Sequence, residues 1–383
     1  MPLDPQAQVL LEQMQAQGMP PFEQMTVAQA REAALAFKDL EGEPQPLAKV
    51  EDHLIASPRG ELALGVRVYT PTGEPPFPLL VYFHGSGWTI ANVEVADTPC
   101  RALANAAGAV VISVEYRLGP EHKFPAPLED CYLATRWVAE HAADLGGDAD
   151  RLVVIGDSAG GNLAAAVALL ARDRGGPKIS QQVLLYPATN HSFDTPSYQE
   201  NADGYMLTRE SCRWFWANYL NSDEEGRNPY ASPLQAEDLA GLPPALIVTA
   251  EYDPLRDEGE AYGERLRAAG VPARVSRYAG MIHGFLWMGG VLDRTRQLIE
   301  EIAAEVRAAP KALPAAFVLT AEFDPLRDQG EAYARALETA GVPVEARRYD
   351  GVFHGFFGMR DLMDPAQLAF DDVTKALRRA LGT

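Results

Sequence analysis

The segment Gly156-Asp157-Ser158-Ala159-Gly160 sets a serine between two glycines in a G-x-S-x-G pattern. That spacing suits a nucleophile. A strand-to-helix turn sharp enough to present a serine hydroxyl leaves almost no room for side chains on its flanks. The apolar run Leu152–Ile155 ahead of it reads as a buried strand, and Gly161–Leu170 behind it as a small-residue helix. Ser158 then also sits at a helix N-terminus, which favours negative charge developing nearby. A second stretch, His84-Gly85-Ser86-Gly87-Trp88, follows directly on the strand-like run Leu79–Phe83. Acyl transfer needs N–H donors aimed at a tetrahedral oxyanion, and a glycine-rich loop brings backbone close to a substrate. The amides of Gly85 and Ser86, joined by that of Ala159, are assigned to this oxyanion hole.

A serine on such a turn needs a base and a group to orient the base, and chain order runs serine, acid, histidine. Asp253 follows the strand-like run Ala245–Ala250, and His283 follows the next one, Ala273–Tyr278. His283 would take the proton of Ser158 and return it to the leaving group, while Asp253 would fix the tautomer and stabilise the imidazolium. Either residue alone reads as a helix cap or a turn. The pair, in this order, reads as chemistry.

The sequence offers that pair twice. Residues 242–312 repeat as 313–383 at a constant offset of 71 without a gap, so that Asp253-Pro254-Leu255-Arg256-Asp257 recurs as Asp324-Pro325-Leu326-Arg327-Asp328. Likewise Leu242-Pro243 recurs as Leu313-Pro314, Ala269-Gly270-Val271-Pro272 as Ala340-Gly341-Val342-Pro343, and His283-Gly284-Phe285 as His354-Gly355-Phe356. Each copy reads strand, helix, strand, helix. Two copies make a tandem βαβα duplication, too few for a solenoid. Asp324 and His354 therefore share the local credentials of Asp253 and His283, and only geometry separates them. Strands added beyond that of His283 would carry His354 roughly 10 Å farther from Ser158, at about 4.8 Å per strand. Copy one is thus expected to serve Ser158, with copy two extending the edge of the sheet by right-handed crossovers. If related enzymes pair through that edge, copy two would cover it. Exchange of modules within a homodimer stays open.

The elements that must position these groups alternate. Strand-like runs at Val50–Ala56, Leu62–Thr70, Leu79–Phe83, Ala109–Glu115, Leu152–Ile155 and Gln182–Tyr186 are interleaved, from Leu79 on, with helical stretches Ala96–Ala107, Leu128–His141 and Leu163–Arg172. Near-continuous Val/Ile/Leu runs of this length suit strands buried on both faces, hence a mostly parallel sheet in a three-layer α/β architecture. Residues 1–45 form a helical N-terminal segment, with an amphipathic helix over Val27–Leu40 broken by Pro44 and Pro46. Residues 190–230 interrupt the rhythm with seven aromatic residues between Phe193 and Tyr219 and a helix over Thr208–Leu220, reading as a packing layer or a cap over the site. The domain expectation is a cap segment at 1–45, a catalytic domain at 46–312 and the second copy at 313–383.

Composition excludes several classes. A chain of 383 residues with 47% apolar content can bury a large core, and no run approaches the roughly 18 apolar residues of a membrane span. Met1-Pro2-Leu3-Asp4-Pro5 lacks the basic and apolar regions of a secretory signal. Thirty-three basic against 53 acidic residues give a net charge of −20, which disfavours nucleic acid and anionic membranes. Three scattered cysteines (Cys100, Cys131, Cys212) and no HExxH argue against disulfides and metal, and suit a reducing cytoplasm.

With these motifs in view, the chain resembles the bacterial hormone-sensitive-lipase branch of the α/β-hydrolases. His84–Trp88 resembles that family's HGGGW loop, Gly156–Gly161 its GDSAGG elbow, and Tyr116-Arg117-Leu118-Gly119-Pro120-Glu121-His122-Lys123-Phe124-Pro125-Ala126 its YRLAPEHKFPA segment. Asn201-Ala202-Asp203-Gly204-Tyr205 and the blocks around Asp253 and His283 fit as well. The resemblance covers about residues 45–312. It implies the α/β-hydrolase fold, an N-terminal helical cap, and hydrolysis of short- to medium-chain acyl esters as small-molecule substrates without a cofactor. Two departures stand out: Ser86 replaces a family glycine, and residues 313–383 have no counterpart. Amide hydrolysis by the same triad, and a non-catalytic ligand receptor on this fold, are the competing readings. His84, Asp157, Glu121 and Trp88 read as structural, with Trp88 under the loop or lining the acyl pocket. His53, His122, His141 and His191 read as surface residues.

Overall fold

The computed structural model describes residues 2–18, 20–56, 63–308, 315–339 and 342–381. The expected starts at Leu62 and Leu313-Pro314, the Ala340-Gly341 match and the 312/313 boundary lie outside them. The chain divides into two compact units, Met1–Lys311 and Ala312–Thr383.

The first unit is built on eight strands: β1 (Lys49–Ile55), β2 (Leu64–Thr70), β3 (Phe77–Phe83), β4 (Val110–Glu115), β5 (Gly147–Asp157), β6 (Gln181–Leu185), β7 (Ala245–Tyr252) and β8 (Ala273–Ile282). They lie in the order β1-β2-β4-β3-β5-β6-β7-β8. From β4 to β8 every pairing is parallel, while β2 runs antiparallel to both β1 and β4. All seven residues of β3 and all five of β6 are buried, as strands covered on both faces require. Helices α1 (Pro5–Ala16), α2 (Val27–Leu35), α3 (Lys38–Glu41), α4 (Asp97–Ala107), α5 (Ala126–Glu140), α6 (Ala159–Arg174), α7 (Pro196–Glu200), α8 (Arg209–Tyr219), α9 (Arg256–Ala268) and α10 (Asp293–Ala308) complete it. Two apolar clusters result, one per face of the sheet: Leu79, Val81 and Phe83 belong to one, Leu80 and Tyr82 to the other. This is the three-layer α/β architecture.

Local chemistry sets the joints. Thr26 and Gln29 form a capping box that starts α2, and the helix expected to run to Leu40 stops at Leu35. The break turns Phe37 edge-on against Trp287, with ring centroids 5.8 Å apart. Gly263 on α9 marks a close approach: a Cβ there would lie 2.5 Å from a Val275 methyl on β8. Of the histidines expected at the surface, His122 is exposed, but His53, His141 and His191 are half-buried. His53 and His141 lie with their rings against Trp137, and His191 against Trp216. The three cysteines are free and buried.

The second unit holds β9 (Ala316–Phe323), α11 (Arg327–Thr339), β10 (Val344–Phe353) and α12 (Asp364–Leu381). The βαβα reading of the repeat holds element by element. Within this unit β9 and β10 form a two-stranded parallel sheet. Ala321, Tyr349, Val352, Phe356, Ala366 and Ala369 are buried together in it.

Candidate active site

Ser158 stands between β5 and α6 with φ 56° and ψ −119°, a backbone conformation that L-residues rarely adopt. The turn can be that tight because its neighbours are glycines. A Cβ on Gly160 would lie 1.8 Å from the carbonyl oxygen of Phe83 at the end of β3. The amide of Ser158 donates to the carbonyl of Leu185 at the end of β6 (2.8 Å), so two strands hold the bend.

His283 follows β8 and reaches back to the serine: its Nε2 lies 2.8 Å from Ser158 Oγ. Its Nδ1 lies 2.7 Å from Asp253 Oδ2, just past the end of β7. A carboxylate only accepts, so Nδ1 carries the proton and Nε2 is left to accept from the serine hydroxyl. Asp253 is fully buried, and its other oxygen accepts the amide of Leu255 at 2.9 Å. The three residues singled out from the sequence thus form one hydrogen-bonded chain. In the second unit, His354 Nδ1 lies 2.9 Å from Asp324 Oδ2, so the module assembles its own pair. There the imidazole is 64% exposed, against 8% for His283.

The loop after β3 departs from expectation at one position. The amide of Gly85 donates to Asp157 Oδ1 at 2.7 Å and is therefore not free to receive an oxyanion. Among the described residues the amides of Ser86 and Gly87 donate to no protein acceptor, and that of Ala159 opens α6, where helical geometry offers none. The unoccupied donors are thus Ser86, Gly87 and Ala159. Asp157 also accepts the Tyr82 hydroxyl at 2.6 Å, and burial pushes its carboxyl up to about 6 against these two hydrogen bonds. His84 is fully buried, stacked on Tyr116 at 4.4 Å, and held near 4 by burial, so it is neutral and packs rather than moves protons. Glu121 pairs with Arg31 at 2.6 Å. Trp88 lies flat against Tyr219, with rings 4.3 Å apart, and also meets the cleft.

A cleft opens on the Ser158 hydroxyl. Phe22 and Phe37 reach it from the first 45 residues, Phe215 and Trp216 from α8, and Trp287 from beyond β8. The aromatic insertion at 190–230 therefore borders the site. Phe37 and Trp287 carry no local sequence signal, because only the break after α2 brings them together. Among the described residues no group of acidic, histidine and cysteine side chains could hold a metal ion, and no helix is long and apolar enough to cross a membrane.

A family model described as the alpha/beta hydrolase fold matches residues 80–287, and matches again over 288–358. The chain belongs to that family. To an esterase of Mycobacterium tuberculosis, LipI, this hydrolase is 44% identical over 262 residues, 67% of this chain and 81% of the relative. An arylesterase of Saccharolobus solfataricus is 37% identical over 294 residues, 75% of this chain and 93% of that one. Among solved structures, a thermostable esterase from Pseudomonas putida superimposes with a TM-score of 0.77 at 37% identity, covering 80% of this chain and 98% of the other. A hyperthermophilic esterase from the archaeon Pyrobaculum calidifontis does so with a TM-score of 0.76 at 44% identity, covering 80% and 99%. Both cover four fifths of this hydrolase, about the share of its first unit.

Proposed function

We propose that this hydrolase is a carboxylesterase that cleaves short- to medium-chain acyl esters through an acyl-Ser158 intermediate. Ser158 Oγ attacks the ester carbonyl carbon while His283 Nε2 takes its proton. The imidazolium, stabilised by Asp253, returns that proton to the alkoxide as the C–O bond breaks. Water then enters by the same route: His283 accepts its proton, the hydroxide attacks the acyl carbon, and Ser158 leaves reprotonated. Through both tetrahedral stages the negative oxygen is received by the amides of Ser86, Gly87 and Ala159.

One observation carries the reading: the continuous chain from Ser158 Oγ through His283 to Asp253, at 2.8 and 2.7 Å, opening on an apolar cleft. The carbon-rich lining favours an uncharged acyl chain over a charged substrate. Initial rates on p-nitrophenyl esters of graded acyl length, with Ser158→Ala as control, test it. Activity should fall beyond medium chains and vanish in the variant. Full activity in Ser158→Ala would overturn the assignment.

A further inference from the structure

We propose that the Ser86 hydroxyl is a positioning group for the reaction: with Tyr116 it closes a one-way hydrogen-bond relay that holds the oxyanion-binding amides in place. The inference rests on the esterase reading above.

Ser86 Oγ lies 2.5 Å from Tyr116 Oη, the Tyr116 hydroxyl meets the carbonyl oxygen of His84 at 2.6 Å, and the amide of Trp88 meets Ser86 Oγ at 2.9 Å. Each proton in this set has one place to go. A carbonyl only accepts, so the single phenolic proton of Tyr116 points at His84. Burial raises that phenol well above its ordinary value, so the proton is present. Tyr116 Oη can then only accept from Ser86, and Ser86 Oγ in turn accepts from Trp88. The relay runs Trp88 N–H to Ser86 O–H to Tyr116 O–H to the His84 carbonyl, in one direction and fully satisfied.

Its two ends are the two ends of the loop. Between them lie the unoccupied amides of Ser86 and Gly87, and all four relay residues are buried. The anchor comes from a different strand: Tyr116 follows β4, the neighbour of β3. Oxyanion donors stabilise only the position the charge will occupy, so a loop free to rock forfeits that term in the transition state while substrate binding hardly changes.

The experiment compares Ser86→Ala, Tyr116→Phe and the double variant by kcat and KM on a p-nitrophenyl ester, and by inhibition with a trifluoromethyl ketone. That inhibitor adds Ser158 to give a hemiketal oxyanion, so its affinity reads the donors directly. Each single variant should lower kcat about tenfold with KM within twofold. Inhibitor affinity should weaken by the same factor as kcat, and the double variant should be no worse than the weaker single. Losses that multiply, a change confined to KM, or unchanged inhibitor affinity would overturn the relay. Should Tyr116→Phe fold poorly, Ser86→Ala with its melting temperature recorded decides alone. Ser158→Ala separates the two claims: if it stays active the esterase reading fails, and if it is dead while Ser86→Ala matches wild type only the relay fails.

Discussion

The amide of Gly85 and Oδ1 of Asp157 lie 2.7 Å apart, tying the loop after β3 to the residue immediately before Ser158. Oxyanion loop and nucleophile turn are thereby fastened to each other as well as to the sheet. The same carboxylate oxygen also receives the Tyr82 hydroxyl, so two buried donors depend on one side chain.

Asp157→Ala leaves both donors without a partner, at about 1–3 kcal/mol each. We expect a loss of about 2–6 kcal/mol in urea unfolding, and a kcat lowered at least tenfold. Asp157→Asn keeps an acceptor oxygen and should lie much closer to wild type. Equal unfolding midpoints for alanine and wild type would show that the clamp carries no weight.

His283→Ala and His354→Ala separate the two modules. His283 contacts Ser158 Oγ and its side chain is 8% exposed, whereas the imidazole of His354 is 64% exposed beside Asp324. The first change should lower kcat by on the order of 10⁴–10⁶ and the second by less than about twofold. A large loss from His354→Ala alone would hand the role to the second module.

Glu41 at the end of α3 is buried, and burial pushes its pKa up to about 7 against the hydroxyl of Thr98 and the charge of Lys38. The folded state therefore binds a proton between about 4.5 and 7 that the unfolded chain has released. Stability must fall as pH rises through that window. Glu41→Gln removes the titration, so its advantage over wild type should grow between pH 5 and pH 8. The gain is on the order of 1–2 kcal/mol after discounting for partial solvation. Melting temperatures at the two pH values check it; a difference that stays constant or shrinks rejects the assignment.

Every residue of the proposed mechanism belongs to Met1–Lys311. A chain ending at Lys311 is accordingly expected to keep kcat within about twofold on a short-chain p-nitrophenyl ester. Loss of more than tenfold, in a truncated chain that still melts cooperatively, would give the second module a part in the reaction.

Much of this was legible in the chain itself. Ser158, Asp253 and His283 could be picked out because each sits at the end of an apolar run, where topology limits what can face it. The strands of the parallel part were readable for the same reason, since burial on both faces writes itself as unbroken Val, Ile and Leu. Gly85 misled because its amide is claimed by a carboxylate 72 residues away, and nothing in a loop sequence says which of its donors are already spent. The reversed direction of β2 was hidden too, because alternation of buried and half-buried residues fixes a face but not a direction. The repeat specifies β9, α11, β10 and α12, but a βαβα module does not encode which neighbour its outer strands take.

The close approach of Gly263 to Val275 shows how the two modules have drifted apart. Their counterparts in the second copy are Ala334 and Ala346, so a methyl gained on the helix is matched by carbon lost on the strand. Transplanting either residue singly would leave a clash or a hole: Gly263→Ala in the first copy crowds Val275 unless that side chain is trimmed as well. Twins that began as duplicates have become two dialects, and recombination between them is tolerable only when whole phrases cross over together.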